Sequence, residues 1–554
     1  MPDTPVYQVL AGLFAQEGVD TVFALLGDAN MYWAIALAEQ HGARLIHARH
    51  ENSACAMADG YARATGRVGV VTTTCGPGYT NLATALTSAV RHRSPLIVFA
   101  GDTPMSGAFH GQQFEQRPLA EAAGARFLPL RDADRIATDI RDAFYYARHE
   151  RRPVVVSAPM DLQNRARSRM PDYVPSAALL PRAQRLYPDP EAISAAVEMI
   201  GAAKRPVIIA GDGVVRSQAG EMVARLGDTI GALLATTLRA KGLFEGNPFD
   251  IGIAGGYATD LTLSLFKNAD LILGIGAGLG HFTTDAGKLY PNARVIQIDT
   301  EPRGLWEGVR VADLHVRADA ATAIAAILSE LGSRRDVGIG YRTNALADRL
   351  AADFSDPRDM PGEPGMLDPR TAIVELDAAV PKDFDVVVGN AHFTFITLSH
   401  LRGRAPERYF TINDFGAIGH ALPAAVGVAA ARGDGKVMLI EGDGSLLMTM
   451  QDLETIARQD LKMLICVIND GGYGAEIHRL RPKGFDAGHT IFGRPDFAAI
   501  AAALGLRGVT VNTLGTFDRL FAEHQQSGQT TVWDIHVTNA IPSRTFRRLY
   551  YGEP

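Results

Sequence analysis

Two acidic, glycine-rich stretches in the last third of the chain carry residue types that can hold a metal and a phosphate. The first, Leu439-Ile440-Glu441-Gly442-Asp443-Gly444-Ser445, is an apolar strand that ends in Gly-Asp-Gly-Ser and leads into a predicted helix over Leu446–Arg458. Ligands of open α/β sheets bind beyond strand ends. There Gly442 and Gly444 let backbone approach phosphate oxygens, the helix start at Ser445 favours anions, and the Asp443 carboxylate can hold a hard cation. The second stretch, Asn469-Asp470-Gly471-Gly472-Tyr473-Gly474, follows the apolar strand Met463–Ile468. Between Gly444 and Asn469 lie 24 residues, enough for one helical crossover that sets the two strand ends side by side, so that Asp443 and an acidic or amide tip reach one metal. Another Gly-Asp-Gly, at Gly211-Asp212-Gly213, lacks that sequel and reads as an ordinary turn.

Such tips need a scaffold of buried parallel strands. Continuous apolar runs with turn signals after them predict strands at Val68–Thr73, Pro95–Phe99, Val154–Ser157, Pro206–Ala210, Leu271–Ile275, Val295–Ile298, Val386–Val388 and Val437–Ile440. They alternate with Ala-rich amphipathic stretches, the pattern of α/β units. Two proline-rich segments, Arg165–Pro190 and Ala351–Pro369, break the rhythm and read as linkers. The expected architecture is three doubly wound parallel-sheet α/β domains, at residues 1–170, 186–335 and 365–545.

Composition excludes several classes. With 47% apolar and 21% charged residues in 554, the chain has the make-up of a folded multidomain protein. A net charge of -7 leaves no basic face for nucleic acid. The three cysteines, Cys55, Cys75 and Cys466, lie far apart without a CxxC pair, so neither a disulfide framework nor a zinc site is expected. No signal peptide or membrane-spanning run is visible, and the cytoplasm is the expected compartment.

Across nearly its whole length the chain resembles the thiamin diphosphate enzymes, specifically the 2-oxo acid decarboxylase and acetohydroxyacid synthase group, and the paired motifs at Asp443 and Asn469 resemble that family's metal site. The resemblance implies pyrimidine-binding, central and diphosphate-binding domains, and a Mg²⁺ held by Asp443, Asp470 and the carbonyl of Gly472, with Gly442, Gly444, Ser445 and Tyr473 around the cofactor. The family's usual asparagine is Asp470 here, which adds a negative charge beside a diphosphate and leaves Asn469 as an alternative ligand.

The same resemblance assigns Glu51, just ahead of Ala58–Gly66, as the carboxyl that hydrogen-bonds the aminopyrimidine ring, with Gly76, Pro77 and Asn81 in a cofactor-facing loop. It also assigns the carbonyl of Gly416 as acceptor for the cofactor amine and Ile418 as the wedge that bends the cofactor; from residue type alone, Ile418 reads as core. Because the glutamate and the metal motif come from different subunits in this family, a homodimer is implied as the minimum unit, with a homotetramer favoured.

The implied chemistry is non-oxidative decarboxylation of a small-molecule 2-oxo acid, carboligation through an enamine, or both. Gly27-Asp28-Ala29-Asn30 and Tyr473-Gly474-Ala475-Glu476 resemble simple decarboxylases, with Asp28 and Glu476 delivering protons. The loop Ala108–Glu115 departs from them: their histidine pair is replaced by the single His110 in a Gln-rich run similar to the synthases'. His392 is expected beside the thiazolium, and the basic run His478, Arg479, Arg481, Lys483 points to an anionic substrate. Gly274–Gly280 does not fit GxGxxG and reads as a strand-to-helix turn, and Leu279 stands where flavin-binding relatives carry arginine, so FAD is less expected than its absence. The alternatives are an acetolactate synthase type carboligase with FAD and a non-catalytic cofactor-binding relative.

Overall fold

The computed structural model describes residues 4–106, 109–167, 172–182, 184–301, 310–332, 341–352, 356, 359, 360 and 362–552. The strands, in chain order, are β1 Thr4–Pro5, β2 Thr21–Ala24, β3 Arg44–His47, β4 Gly69–Thr73, β5 Leu96–Asp102, β6 Arg126–Pro129, β7 Val154–Pro159, β8 Ala166–Arg167, β9 Pro206–Ala210 and β10 Leu233–Thr236. They continue with β11 Asp250–Ile253, β12 Leu271–Ile275, β13 Arg294–Asp299, β14 Leu314–Arg317, β15 Asp385–Val388, β16 Tyr409–Thr411, β17 Val437–Gly442, β18 Leu464–Asn469, β19 Arg507–Val511 and β20 Thr531–His536. They build three six-stranded sheets, ordered β3-β2-β4-β5-β7-β6, β11-β10-β9-β12-β13-β14 and β16-β15-β17-β18-β20-β19. Pairing is parallel throughout all three, with helices on the faces, the expected α/β class. The pair β1-β8, which ties Thr4–Pro5 to Ala166–Arg167, is antiparallel.

Apolar runs became strands because both faces of each sheet are covered. Ile208 and Ile272, like Leu439 and Cys466, have no exposed surface. The first and third sheets share one strand order, in which the path reverses between β2 and β4 and between β15 and β17. A reversal leaves a crevice beyond the strand ends, and the residues with candidate chemistry follow those ends.

The first and third domains are joined by helices Glu51–Thr65 and Ala421–Arg432, which contribute to a common apolar core. Their backbones nearly touch: a Cβ on Gly60 would lie 2.0 Å from the Ala424 carbonyl oxygen, and one on Gly427 would lie 1.9 Å from that of Met57. Glycine is needed at both points for contact rather than for dihedral freedom.

Three sequence expectations change. The helix expected over Leu446–Arg458 is two, Asp443–Leu447 and Asp452–Arg458, separated by a turn that lets buried Asp452 accept the Arg49 amide at 3.2 Å. Gly211-Asp212-Gly213 is not a free turn but opens the short helix Asp212–Arg216, where the Gly213 amide donates to the Gly276 carbonyl at 3.0 Å. Gly274–Gly280 ends β12 and leads into successive turns rather than a helix, with Leu279 at φ 49°. All three cysteines are free and buried. Among the described residues no helix is long and apolar enough to cross a membrane.

Gly60→Val drives its side chain into a backbone carbonyl that cannot rotate away, so the variant is expected to lose about 1–3 kcal/mol or more of stability. A first thermal transition no lower than that of the unmodified protein would refute this account of the domain junction.

Candidate functional site

The pairing of β17 with β18 sets Gly442 opposite Ile468, so the residues just beyond the two strands, Asp443 and Asn469–Asp470, emerge together. Successive residues of a strand point to opposite faces, and only one tip of the second strand can face Asp443. Asn469 is fully buried on the far side, its amide donating to Asp534 Oδ1 at 2.8 Å and to the Pro495 carbonyl at 3.1 Å. Its amide nitrogen is thus engaged away from the cavity, and Asp470, not Asn469, shares the cavity wall with Asp443.

Asp443, 2% exposed, accepts the Gly444 amide through Oδ1 and the Gly471 amide through Oδ2, each at 2.7 Å. These bonds hold its carboxylate between the two loops. Gly471 turns the second loop at φ 79°, and Asp470 Oδ1 accepts the Gly472 amide at 3.1 Å. The neighbouring glycines are dictated by ring contacts, since a Cβ on Gly442 would meet the Phe393 ring at 3.0 Å and one on Gly444 the Tyr473 ring at 2.8 Å. Glu441 lies buried behind them against Gly389; burial pushes its carboxyl up to about 7, opposed by hydrogen bonds from Ser445 and the Gly442, Leu422 and Ala421 amides.

Burial raises the affinity of both Asp443 and Asp470 for a proton, and the charge of Asp470 raises that of Asp443 further. The nearby cations do not neutralise them: Arg494 binds Glu363 and the Val537 carbonyl, and Arg481 binds Asn539. Two buried, uncompensated carboxylates fit a divalent cation. Among the described residues no group of three or more His, Cys, Asp or Glu side chains surrounds a metal position, so a hard cation held here would draw part of its coordination from backbone carbonyls and ligand oxygens.

The cavity, about 470 Å³, is walled by the ends of β15, β17 and β18 and by the helix Gly474–Leu480. Ile418 stands half-buried in its wall rather than in the core, and Gly416, at φ 72°, turns its carbonyl to the Asn390 amide at 2.9 Å. Ser445 Oγ accepts the Gly419 amide at 2.7 Å, which ties this loop to the first acidic tip. His392 lines the cavity but is also a packed residue: its Nε2 accepts the Ser543 amide at 2.8 Å, and its ring lies 4.4 Å from that of His478. Burial, then the neighbouring histidine, holds His392 well below the usual imidazole range. Burial and Arg481 bring His478 down to about 3, so both rings are neutral at physiological pH. Tyr473 and Glu476 are partly exposed at the rim.

The residues expected around the pyrimidine gather elsewhere in the same chain. Glu51, 7% exposed, opens the helix after β3 and accepts the Asn81 amide at 2.9 Å. Gly76 and Pro77 open the short helix beyond β4, and Asp28 is exposed in the turn after β2. His110 accepts the Gln112 amide through Nδ1 at 3.2 Å; Ala108, named with this loop, lies outside the described residues. None of these residues lines the cavity of Asp443.

One feature escaped the sequence. Asp414, beside Phe415-Gly416, is buried and bonded to Arg63 at 2.9 Å, His92 at 3.2 Å and, most closely, Arg239 of the central domain. Burial opposes its charge, but Arg63, His92 and Arg239 hold the carboxyl well below the usual range. Its neighbour tether, Asn52 Nδ2 to His420 Nε2 at 3.0 Å, joins the Glu51 helix to the same loop. An acid before a Phe-Gly turn gives no such signal, because its partners come from two other domains.

Comparison with known proteins agrees with this geometry. Residues 5–121 match the family described as thiamine pyrophosphate enzyme, N-terminal TPP binding domain; residues 193–327 match its central domain, and residues 388–535 its C-terminal TPP binding domain. The acetolactate synthase large subunit of Parasynechococcus marenigrum is 29% identical, covering 94% of this chain and 86% of that protein. The acetolactate synthase of Arthrospira platensis is 28% identical over 94% of this chain and 92% of its own length. A probable acetolactate synthase large subunit of Methanococcus aeolicus is 27% identical, with 89% and 85% covered.

The raised carboxyls fix a sign. The folded protein retains protons that the unfolded chain releases, so metal-free stability falls as pH climbs from the ordinary carboxylate value through the elevated one, roughly pH 4 to 8. Mg²⁺ is expected to raise Tm most at the alkaline end, and Asp470→Asn to flatten the slope. Equal slopes in both proteins, with no response to Mg²⁺, would contradict the paired-carboxylate account.

Proposed function

Because this chain belongs to the thiamine pyrophosphate enzyme family, we propose that it decarboxylates a 2-oxo acid without net oxidation and passes the product either to a proton or to a second carbonyl. The observation that carries this reading is the pair of buried acidic tips, Asp443 and Asp470, facing one cavity, where Arg494 and Arg481 offset their charge only in part. Asp443, Asp470 and the Gly472 carbonyl would hold Mg²⁺, with Gly442, Gly444 and Ser445 against a diphosphate at the helix start. The bound thiamin diphosphate supplies an electron sink beside the substrate carbonyl.

The remaining roles belong to the chain's own groups. The Gly416 carbonyl and Ile418, both in the cavity wall, would hold the cofactor amine and support its rings, and Glu51, with Gly76, Pro77 and Asn81, would hold a proton at the pyrimidine edge. Since Glu51 does not line the cavity of its own chain, a second copy supplies it, making a homodimer the minimum unit; the tetramer is the larger assembly we favour. Asp28, His110 and Glu476 move protons on the substrate, while neutral His392 and Tyr473 shape the pocket. The relatives' name, acetolactate synthase, favours carboligation, and the carboxyl of Glu476 at the rim favours protonation. A flavin-free central domain is supported by the Gly213 amide, spent on Gly276 where a dinucleotide phosphate would need it, and by Leu279. Three buried free thiols suit a reducing compartment such as the cytoplasm.

Carbon dioxide release from a panel of 2-oxo acids, with separate assays for aldehyde and hydroxyketone, tests the reaction; absence of every product would support a non-catalytic relative. Glu51→Gln is expected to abolish proton exchange at the thiazolium C2 while cofactor affinity holds. Co-expression of Glu51→Gln and Asp470→Ala chains should restore activity, because the hybrid dimer contains one intact site; a hybrid as inactive as its parents would refute the shared site.

A further inference from the structure

The basic run after Glu476 divides in the fold. His478 is buried and neutral, Arg481 is spent on the Asn539 side chain and carbonyl, and Lys483 is exposed away from the cavity. Arg479 alone among these reaches the cavity, and among the described residues it is the only lysine or arginine in the cavity wall. Its guanidinium lies over two rings of the helix Arg544–Tyr550, with the guanidinium carbon 5.9 Å from the Phe546 ring centre and 5.7 Å from that of Tyr550. Nε donates to the Tyr550 hydroxyl at 3.1 Å, which fixes the plane of the fork. Among the described residues no hydrogen bond engages Nη1 or Nη2; Glu476 approaches Nη1 only to 3.6 Å, with both side chains about half exposed. A planar cation held at its stem, with the outer donors uncommitted, matches a carboxylate or a related oxyanion.

Resting on the proposed function, we infer that Arg479 binds a second anionic group at the far end of the substrate, so that the preferred substrate is a 2-oxo acid carrying a distal carboxylate or phosphonate. The carboxylate next to the carbonyl is a poor partner for this cation. It loses its charge as carbon dioxide departs, and a cation gripping it would stabilise the ground state more than the transition state. A distal anion keeps its charge throughout the reaction. Its contact with Arg479 is the same before and during bond cleavage, and therefore acts on KM rather than on kcat.

The test uses the full-length holoenzyme, with thiamin diphosphate and Mg²⁺ saturating, and compares 2-oxoglutarate and 2-oxoadipate with neutral acids of matched length, 2-oxopentanoate and 2-oxohexanoate. The diacids are expected to have the higher kcat/KM, and Arg479→Met to cut the diacid-to-neutral ratio by about 10- to 100-fold, the range of a charged hydrogen-bonded contact. That loss should reside in KM, and Arg479→Lys should restore part of it, with cofactor binding by fluorescence quenching reporting that each variant is folded. Neutral acids turned over as well as the diacids, or a ratio unmoved by Arg479→Met, would overturn the inference and leave the proposed function standing. No carbon dioxide from any acid would overturn both.

Discussion

Two carboxylates placed side by side in a dry crevice repel each other and resist ionisation, and much of the third domain follows from having to hold them there. Loops alone would let the tips drift apart. Parallel strands in register fix Asp443 and Asp470 at adjacent ends, and a crossover of modest length is the shortest connection that sheet geometry allows between them. The amides of Gly444, Gly471 and Gly472 then stabilise the charges in part, without cancelling them. What remains is a standing deficit of positive charge, which a bound cation would remove and which, among the described residues, Arg494 and Arg481 relieve only in part.

A second constraint acts at a distance from the tips. The loop of Gly416 and Ile418 belongs to the third domain, but its anchors lie in the other two: Arg63 and His92 in the first, Arg239 in the central one, all meeting at Asp414. A buried charge held by two arginines and a histidine tolerates little displacement, since losing either cation leaves the carboxylate undercompensated. Together with the close contact of Gly60 and Gly427, this hub makes the first and third domains of one chain a single block. The Glu51 region and the Asp443 cavity then lie in that block as separate places, Glu51 outside the cavity wall.

The scaffold was legible in the sequence because buried parallel strands have no polar face to hide the signal. Nearly every apolar run singled out is a strand, within a residue or two at its ends. The paired motif was legible for the same reason, through its spacing. What could not be read was direction: Asn469 and Asp470 are adjacent in sequence but point to opposite faces, and only the partners of Asn469, at Pro495 and Asp534, decide which one faces the cavity. The break after Leu447 was hidden because it serves Asp452, whose partner Arg49 is some four hundred residues away in the chain. The glycines at 211 and 276 mislead for a related cause. Each looks like a turn alone, and their actual work is to pack against one another at the reversal point of the central sheet.

The C-terminal helix Arg544–Tyr550 shows how one element can set two opposite electrostatic outcomes. Phe546 packs at 4.9 Å from the ring of His392, and Tyr551, just past the helix, bonds His478 at 3.0 Å, so both imidazoles are shielded from water and held neutral. The same helix flanks Arg479 with aromatic faces, which favour a cation, and leaves its outer nitrogens without a hydrogen bond, Glu476 standing 3.6 Å from Nη1. Imidazole surrenders its charge when desolvated because its proton is weakly held; guanidinium does not. The cavity wall thus carries a neutral imidazole at His392 and a permanent cation at Arg479, two groups set by one helix. On the proposed reaction, that division would let bond cleavage proceed beside a neutral ring while the fixed charge serves an unreactive end of the substrate.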